Sequence, residues 1–138
     1  MGNLSGPATR AHLEMIQGVV NRLSHNSFLL KGWSVVLVSA MFALSARDSA
    51  ALFVYLAYFP AIAFWGLDGY FLRQEQLFRE LYDKVRKLPD SSVDYSMDTS
   101  EVSSEEVAPW ICTVFSSTIL GFHGVLVASI TLVAFVAF

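Results

Sequence analysis

Long apolar runs with almost no charge dominate this sequence. They cover residues 27–46, 51–68 and 109–138, and the first is about 30 Å long as a helix, enough to cross the hydrocarbon of a bilayer. The charged residues lie nearly all in residues 1–26 and 68–106. The chain is 15% charged and 54% hydrophobic, whereas soluble domains are about 25% charged. We therefore expect an all-α integral membrane protein.

The first two apolar runs are joined by a very short polar link, Arg47-Asp48-Ser49. A link of this length predicts that the second span returns antiparallel beside the first, so residues 27–67 form a two-span hairpin. Pro60 lies in the middle of the second span and is expected to kink it. Lys31 lies one turn from the start of the first span, where its long stem is expected to reach the headgroups.

The third apolar run, residues 109–138, is too long for one perpendicular crossing. We expect an interfacial piece at Pro109–Phe115, anchored by Trp110, followed by a third transmembrane helix. Gly121 and Gly124 lie close together in this run and predict a close approach to another helix.

Residues 68–88 have the periodicity of an amphipathic helix and are named the stalk below. With no strong helix breaker between Ala61 and Leu88, we predict one long helix that leaves the membrane as the stalk. Pro89 is expected to end it. The candidate partner-contact residues on its apolar stripe are Phe71, Phe78, Leu81 and Val85.

Residues 1–26 are predicted to form an amphipathic helix, whose apolar positions extend into the first span. These positions are Leu13, Ile16, Val20, Leu23 and Leu30. Three arrangements remain open: the segment packs on the stalk of its own chain, stalks assemble between subunits, or both helices lie on the membrane surface. Residues 89–108 carry six acidic residues, six serines and no basic residue, which predicts a disordered acidic linker.

Basic residues flank the outer ends of the predicted hairpin and are scarce at its tip. They are Arg10, Arg22 and Lys31 before or at the first span, and Arg73, Arg79, Lys84, Arg86 and Lys87 after the second. The tip has Arg47. The positive-inside rule therefore predicts a cytoplasmic N-terminus and stalk, with the hairpin tip and the C-terminus outside.

No catalytic or metal-binding pattern is recognisable in the sequence. The histidines are scattered and have no cysteine or carboxylate at ligand spacing, and no glycine-rich phosphate loop is present. The formal net charge of −3 argues against direct nucleic-acid binding. We expect a protein that is not an enzyme and has no metal and no cofactor.

Three ionisable residues at or within membrane depth are the candidate functional groups: Lys31, Asp68 and His123. Such groups are functional candidates because charge is costly in a bilayer. We predict that they line or gate a pore or form polar contacts between subunits. For His123 the alternative is a structural hydrogen bond across a helix interface.

The chain resembles the SLATT superfamily of small prokaryotic two-span membrane effectors over residues 8–88. The resemblance rests on ATRAHLEMIQGVVNRLSHNS, on a hairpin carrying KGWSVVLVSAM and YFPAIAFWGLDGYF, and on the extension RQEQLFRELYDKVRK. It implies a bacterial inner-membrane effector of an antiphage system that forms homo-oligomers, permeabilises the membrane and acts with a soluble sensor or enzyme. The alternative is a membrane scaffold that recruits a soluble defence enzyme through its cytoplasmic helices.

Overall fold

The computed structural model describes residues 6–137, and the regular elements in that range are all helices. They are α1 (Pro7–Asp48), α2 (Ala51–Leu56), α3 (Tyr58–Val85), α4 (Trp110–Val114) and α5 (Ser117–Ala137), with a 3-10 turn at Asp90–Ser92. Within the described chain, α1, the pair α2–α3 and α5 are each long and apolar enough to cross a membrane. The prediction of an all-helical protein with three potential spans is confirmed. Residues 1–5 of the predicted first segment, and Phe138 of the third, lie outside the described residues.

The predicted N-terminal helix and first span form one continuous helix. The 42 residues of α1 extend over about 63 Å. Pro7 occupies the first turn, where a missing N–H does no harm, and the N–H of the preceding Gly6 donates to the Asp90 carboxylate at 2.7 Å. Nothing in the sequence after Pro7 breaks the helix, so α1 passes the predicted boundary at residue 26 without interruption.

The hairpin turn is tighter than predicted, because Arg47 and Asp48 still belong to α1. Ser49 ends the helix in the left-handed conformation with φ of 51°, and its N–H donates to the carbonyl of Ser45. The Ser45 hydroxyl donates to the Ala50 carbonyl at 3.0 Å, and α2 begins at the next residue. A left-handed C-cap reverses the chain within two residues.

The second span is interrupted at Ala57, between α2 and α3. Pro60 has no N–H to reach the carbonyl of Leu56 four residues earlier, and its ring crowds that carbonyl. Ala57 keeps right-handed helical angles, so the chain continues in nearly the same direction. From Tyr58 the helix is unbroken to Val85, three residues short of the predicted end at Leu88.

Buried side chains form one cluster near the hairpin and another at the stalk. Near the hairpin, Val38 of α1, Val54 of α2, Ala61 of α3 and Ile130 of α5 pack together. At the stalk, Ile16 of α1 contacts Val85 of α3 and Val93 of the linker. The N-terminal half of α1 therefore packs on the stalk of its own chain.

The acidic linker, predicted to be disordered, follows the stalk back toward α4. Val93 and Val107 are buried, and the ring of Tyr95 meets that of His12 edge to face at 5.7 Å. Lys84 of the stalk pairs with Glu106 at 2.9 Å. Composition does not reveal this arrangement, because only a few buried valines and two cations of the stalk, Lys84 and Arg73, hold the segment. Residues 89–108 are named the strap below.

Candidate functional site

The three ionisable residues singled out in the sequence lie together at the junction of α1, α3 and α5. Asp68 of α3 lies between the other two and is fully buried. Its Oδ2 accepts from Lys31 Nζ of α1 at 2.5 Å and lies 2.8 Å from His123 Nε2 of α5. Lys31, Asp68 and His123, with Ser27 described next, are named the polar cluster below.

Ser27 completes the polar cluster and was not predicted as a site residue. Its hydroxyl donates to Asp68 Oδ1 and accepts from Lys31 Nζ at 3.0 Å. Ser27 and Lys31 are four residues apart and therefore share a face of α1. The signal in the sequence was a serine interrupting the apolar stripe between Leu23 and Leu30.

The charges of the polar cluster balance when His123 is neutral. Lys31 contributes one positive charge and Asp68 one negative charge. An ionised carboxylate only accepts hydrogen bonds, so His123 Nε2 carries the hydrogen that it donates to Asp68. The other ring nitrogen, Nδ1, is buried and has no hydrogen-bond partner in the described chain. The site can therefore act as an ionic lock between three helices.

Lys31 is the member of the polar cluster that is partly open to its surroundings. Its side chain is 22% exposed, whereas those of Asp68 and His123 are 0% exposed. The ammonium lies 6.0 Å from the centre of the Phe122 ring. That Lys31 reaches the headgroups stays a prediction; in the described conformation its ammonium pairs with Asp68 and Ser27.

Aromatic rings enclose His123. The indole of Trp65 stacks on the imidazole, with 6.0 Å between ring centres and 6° between planes. Phe122 meets the imidazole edge to face at 5.0 Å. Trp65 Nε1 donates to the carbonyl of Val114 at 2.9 Å, which ties the indole to α4. These apolar surfaces keep water from the polar cluster and so strengthen its internal electrostatic interactions.

The short helix α4 is clamped onto α3 beside the polar cluster. Trp110 Nε1 donates to the carbonyl of Gly66 at 3.1 Å, the reciprocal of the bond from Trp65 to α4. A Cβ atom at Gly69 would lie 3.2 Å from the Cα of Val114 and would meet its side chain more closely still. Glycine at this position is therefore required for α4 to approach α3.

The close approach predicted at Gly121 and Gly124 is not observed. A Cβ at Gly121 would meet nothing within 4 Å, and one at Gly124 would meet Leu120 of the same helix at 3.9 Å. The close approach lies instead at Gly69.

The stalk residues predicted to contact a partner are occupied by the chain itself. Val85 belongs to the buried cluster with Ile16 and Val93, and Phe78 and Leu81 pack against that cluster. Phe71 is partly buried. The part of the apolar stripe formed by Phe78, Leu81 and Val85 is thus covered by α1 and the strap.

Comparisons of this chain with protein-family models, with curated proteins and with solved structures find no match. Function must therefore be inferred from the residues of the site.

Proposed function

We propose that this protein is a non-enzymatic effector or accessory subunit of the bacterial inner membrane that perturbs or permeabilises the bilayer when activated. In this proposal it belongs among the SLATT-like effectors of antiphage systems, forms homo-oligomers and responds to a soluble sensor or enzyme. The conformation described above is the closed state.

The polar cluster is the observation that carries this proposal. An ion pair and an imidazole lie between apolar helices about 25 Å from the hairpin, measured as the 17 residues from Lys31 to Asp48. With the hairpin at one surface of a hydrocarbon layer about 30 Å thick, the polar cluster lies just inside the other. Ionisable groups at such depth are retained for function more often than for stability.

The geometry favours a lock rather than the lining of an open pore. In the described chain the carboxylate of Asp68 has partners at both oxygens, and its bonds cross from α3 to both α1 and α5. Separation of these helices would expose charged groups within the membrane. Water then becomes the best available partner for those groups, and a hydrated path across an oligomer is the expected result.

Packing of α1 on the stalk supports the proposed orientation. Contact between Ile16 and Val85 supports an arrangement in which the basic residues before the first span lie on the same side of the membrane as those after the second. Both groups then face the cytoplasm, and the hairpin and the end of α5 face outward.

Exposed apolar side chains on the outer faces of the helices support contact with lipid and with further copies. Phe28 is 71% exposed, Phe59 78% and Phe135 86%. The alternative function, a scaffold acting through the stalk, has less support because Phe78, Leu81 and Val85 of its apolar stripe are already packed against α1 and the strap.

Membrane potential in expressing bacterial cells tests the proposal. We expect the lock-breaking variant Asp68→Asn to depolarise cells more than the parent protein, and the matched variant Asp48→Asn, at an exposed carboxylate, to behave like the parent. Native mass spectrometry in detergent is expected to give an oligomer. The proposal is wrong if Asp68→Asn leaves the potential unchanged and the detergent complex is a monomer.

A further inference from the structure

The strap is attached to the stalk immediately before α4. Lys84 Nζ donates to Glu106 Oε2 at 2.9 Å and to the carbonyl of Glu101 at 3.1 Å. Arg73 Nε donates to the carbonyl of Ala108 at 3.2 Å. Between these contacts Val107 is buried at 4% exposure. The strap therefore fixes the chain up to Pro109, the residue that precedes α4.

The position of α4 in turn determines how the polar cluster is enclosed. Val114 of α4 accepts the indole hydrogen bond that orients Trp65, and Trp65 covers the imidazole of His123. A displacement of α4 removes this bond and uncovers the ring. A continuous series of contacts thus leads from Lys84 on the stalk to the buried polar cluster.

The attachment of the strap is much more exposed than the polar cluster that it protects. The side chains of Lys84 and Glu106 are 40% and 36% exposed, so solvent and salt weaken their attraction. A weak, solvent-accessible attachment of this kind can be released without unfolding the membrane helices.

We infer that the strap is a regulatory arm of the polar cluster: while Lys84 holds it to the stalk, α4 shields the polar cluster from water, and its release opens the polar cluster. The inference rests on the proposed function for its biological consequence, since opening the polar cluster is the proposed route to membrane leakage. Shielding of His123 by the strap and α4 is measurable without any leakage.

Carbethoxylation of histidines tests this inference on the full chain in lipid nanodiscs. Diethyl pyrocarbonate modifies accessible imidazoles, and peptide mass spectrometry gives the extent of reaction at His123 relative to exposed His25. Lys84→Met removes the two contacts that Lys84 makes to the strap, and Lys87→Met, two residues beyond the end of α3, is its matched control. Gly69→Ala displaces α4 directly, and Gly32→Ala, whose added Cβ meets nothing within 4 Å, is its matched control.

We expect Lys84→Met and Gly69→Ala to raise the His123-to-His25 ratio by about 5- to 30-fold, and the two controls to leave it unchanged. The inference is overturned if the His123-to-His25 ratio for Lys84→Met stays within about twofold of the parent. Loss of Lys84 would then change the equilibrium between the shielded and the open polar cluster too little for the strap to control it. Lys84 is on the surface, so this variant decides the question even where Gly69→Ala fails to fold.

The membrane-potential assay separates this inference from the proposed function. Increased labelling without leakage in any variant supports the strap as a shield and contradicts the effector function. Leakage from Asp68→Asn with unchanged labelling in Lys84→Met supports the function and overturns the strap inference.

Discussion

Replacing Asp68 by asparagine removes the charge at the centre of the polar cluster while keeping a side chain of nearly the same shape. The amide oxygen can still accept a hydrogen bond from Lys31 or His123. The amide NH₂, however, cannot accept at the position where the second carboxylate oxygen does. Lys31 is then left with a positive charge and no counter-ion.

The expected loss of stability follows from the burial of these groups. Removing one partner of a buried ion pair costs about 3–5 kcal/mol. Lys31 is 22% exposed and asparagine retains part of the hydrogen bonding, so we expect a loss of about 2–4 kcal/mol. Asp48→Asn removes an exposed carboxylate 3.7 Å from Arg47 and is expected to cost less than about 0.5 kcal/mol.

Unfolding in mixed detergent and dodecyl sulfate micelles, followed by far-ultraviolet circular dichroism, measures these free energies. The double variant Lys31→Met/Asp68→Leu removes both charges and is expected to recover about half of the loss, because no unpaired ion remains. Equal stability of Asp68→Asn and the parent protein would refute the description of the polar cluster as a buried ionic lock. Equal losses for Asp68→Asn and Asp48→Asn would refute it as well.

Further predictions concern the clamp on α4, the strap and the topology. Trp65→Phe keeps an aromatic ring but loses the indole donor to α4, and the same unfolding assay should show a loss of about 1 kcal/mol. The hydrogen bond from Lys84 holds the pKa of Glu106 below its ordinary value of 4.5. The pair therefore stabilises the strap at pH values above 4.5, and this stabilisation is lost as the pH falls through the lowered pKa of Glu106. The protection factors of the strap amides, which correct for the slower intrinsic exchange in acid, should therefore fall on acidification below about pH 4.5, and less so in Glu106→Gln. In intact cells, a membrane-impermeant maleimide should label the double variant Ser49→Cys/Cys112→Ser at position 49. The same reagent should leave Cys112 of the parent protein unlabelled, and the reverse pattern contradicts the proposed orientation.

The three helices long and apolar enough to cross a membrane were predictable because hydropathy depends on local sequence alone. The apolar runs and the short link Arg47-Asp48-Ser49 determine the number and length of the potential spans. Pro60 marks the interruption of the second one. The strap was less predictable. Its composition is typical of disorder, and its position depends on individual contacts, such as that from Lys84, which no local pattern encodes.

The candidate site was predictable as a set of residues but not as an arrangement. Lys31, Asp68 and His123 were identified one at a time, as ionisable groups in apolar surroundings. Their contact depends on the rotation of three helices about their axes, which periodicity does not determine. Lys31 accordingly pairs with Asp68, and the close approach of helices lies at Gly69 instead of Gly121.

Solid-state NMR of the protein in lipid bilayers tests the central claim most directly, by measuring distances from the Asp68 side-chain carboxyl carbon to Lys31 Nζ and to His123 Nε2. Hydrogen-bonded contacts predict both distances at or below ~4 Å. Distances well beyond that range, at which no hydrogen bond joins these side chains, would contradict the existence of the polar cluster.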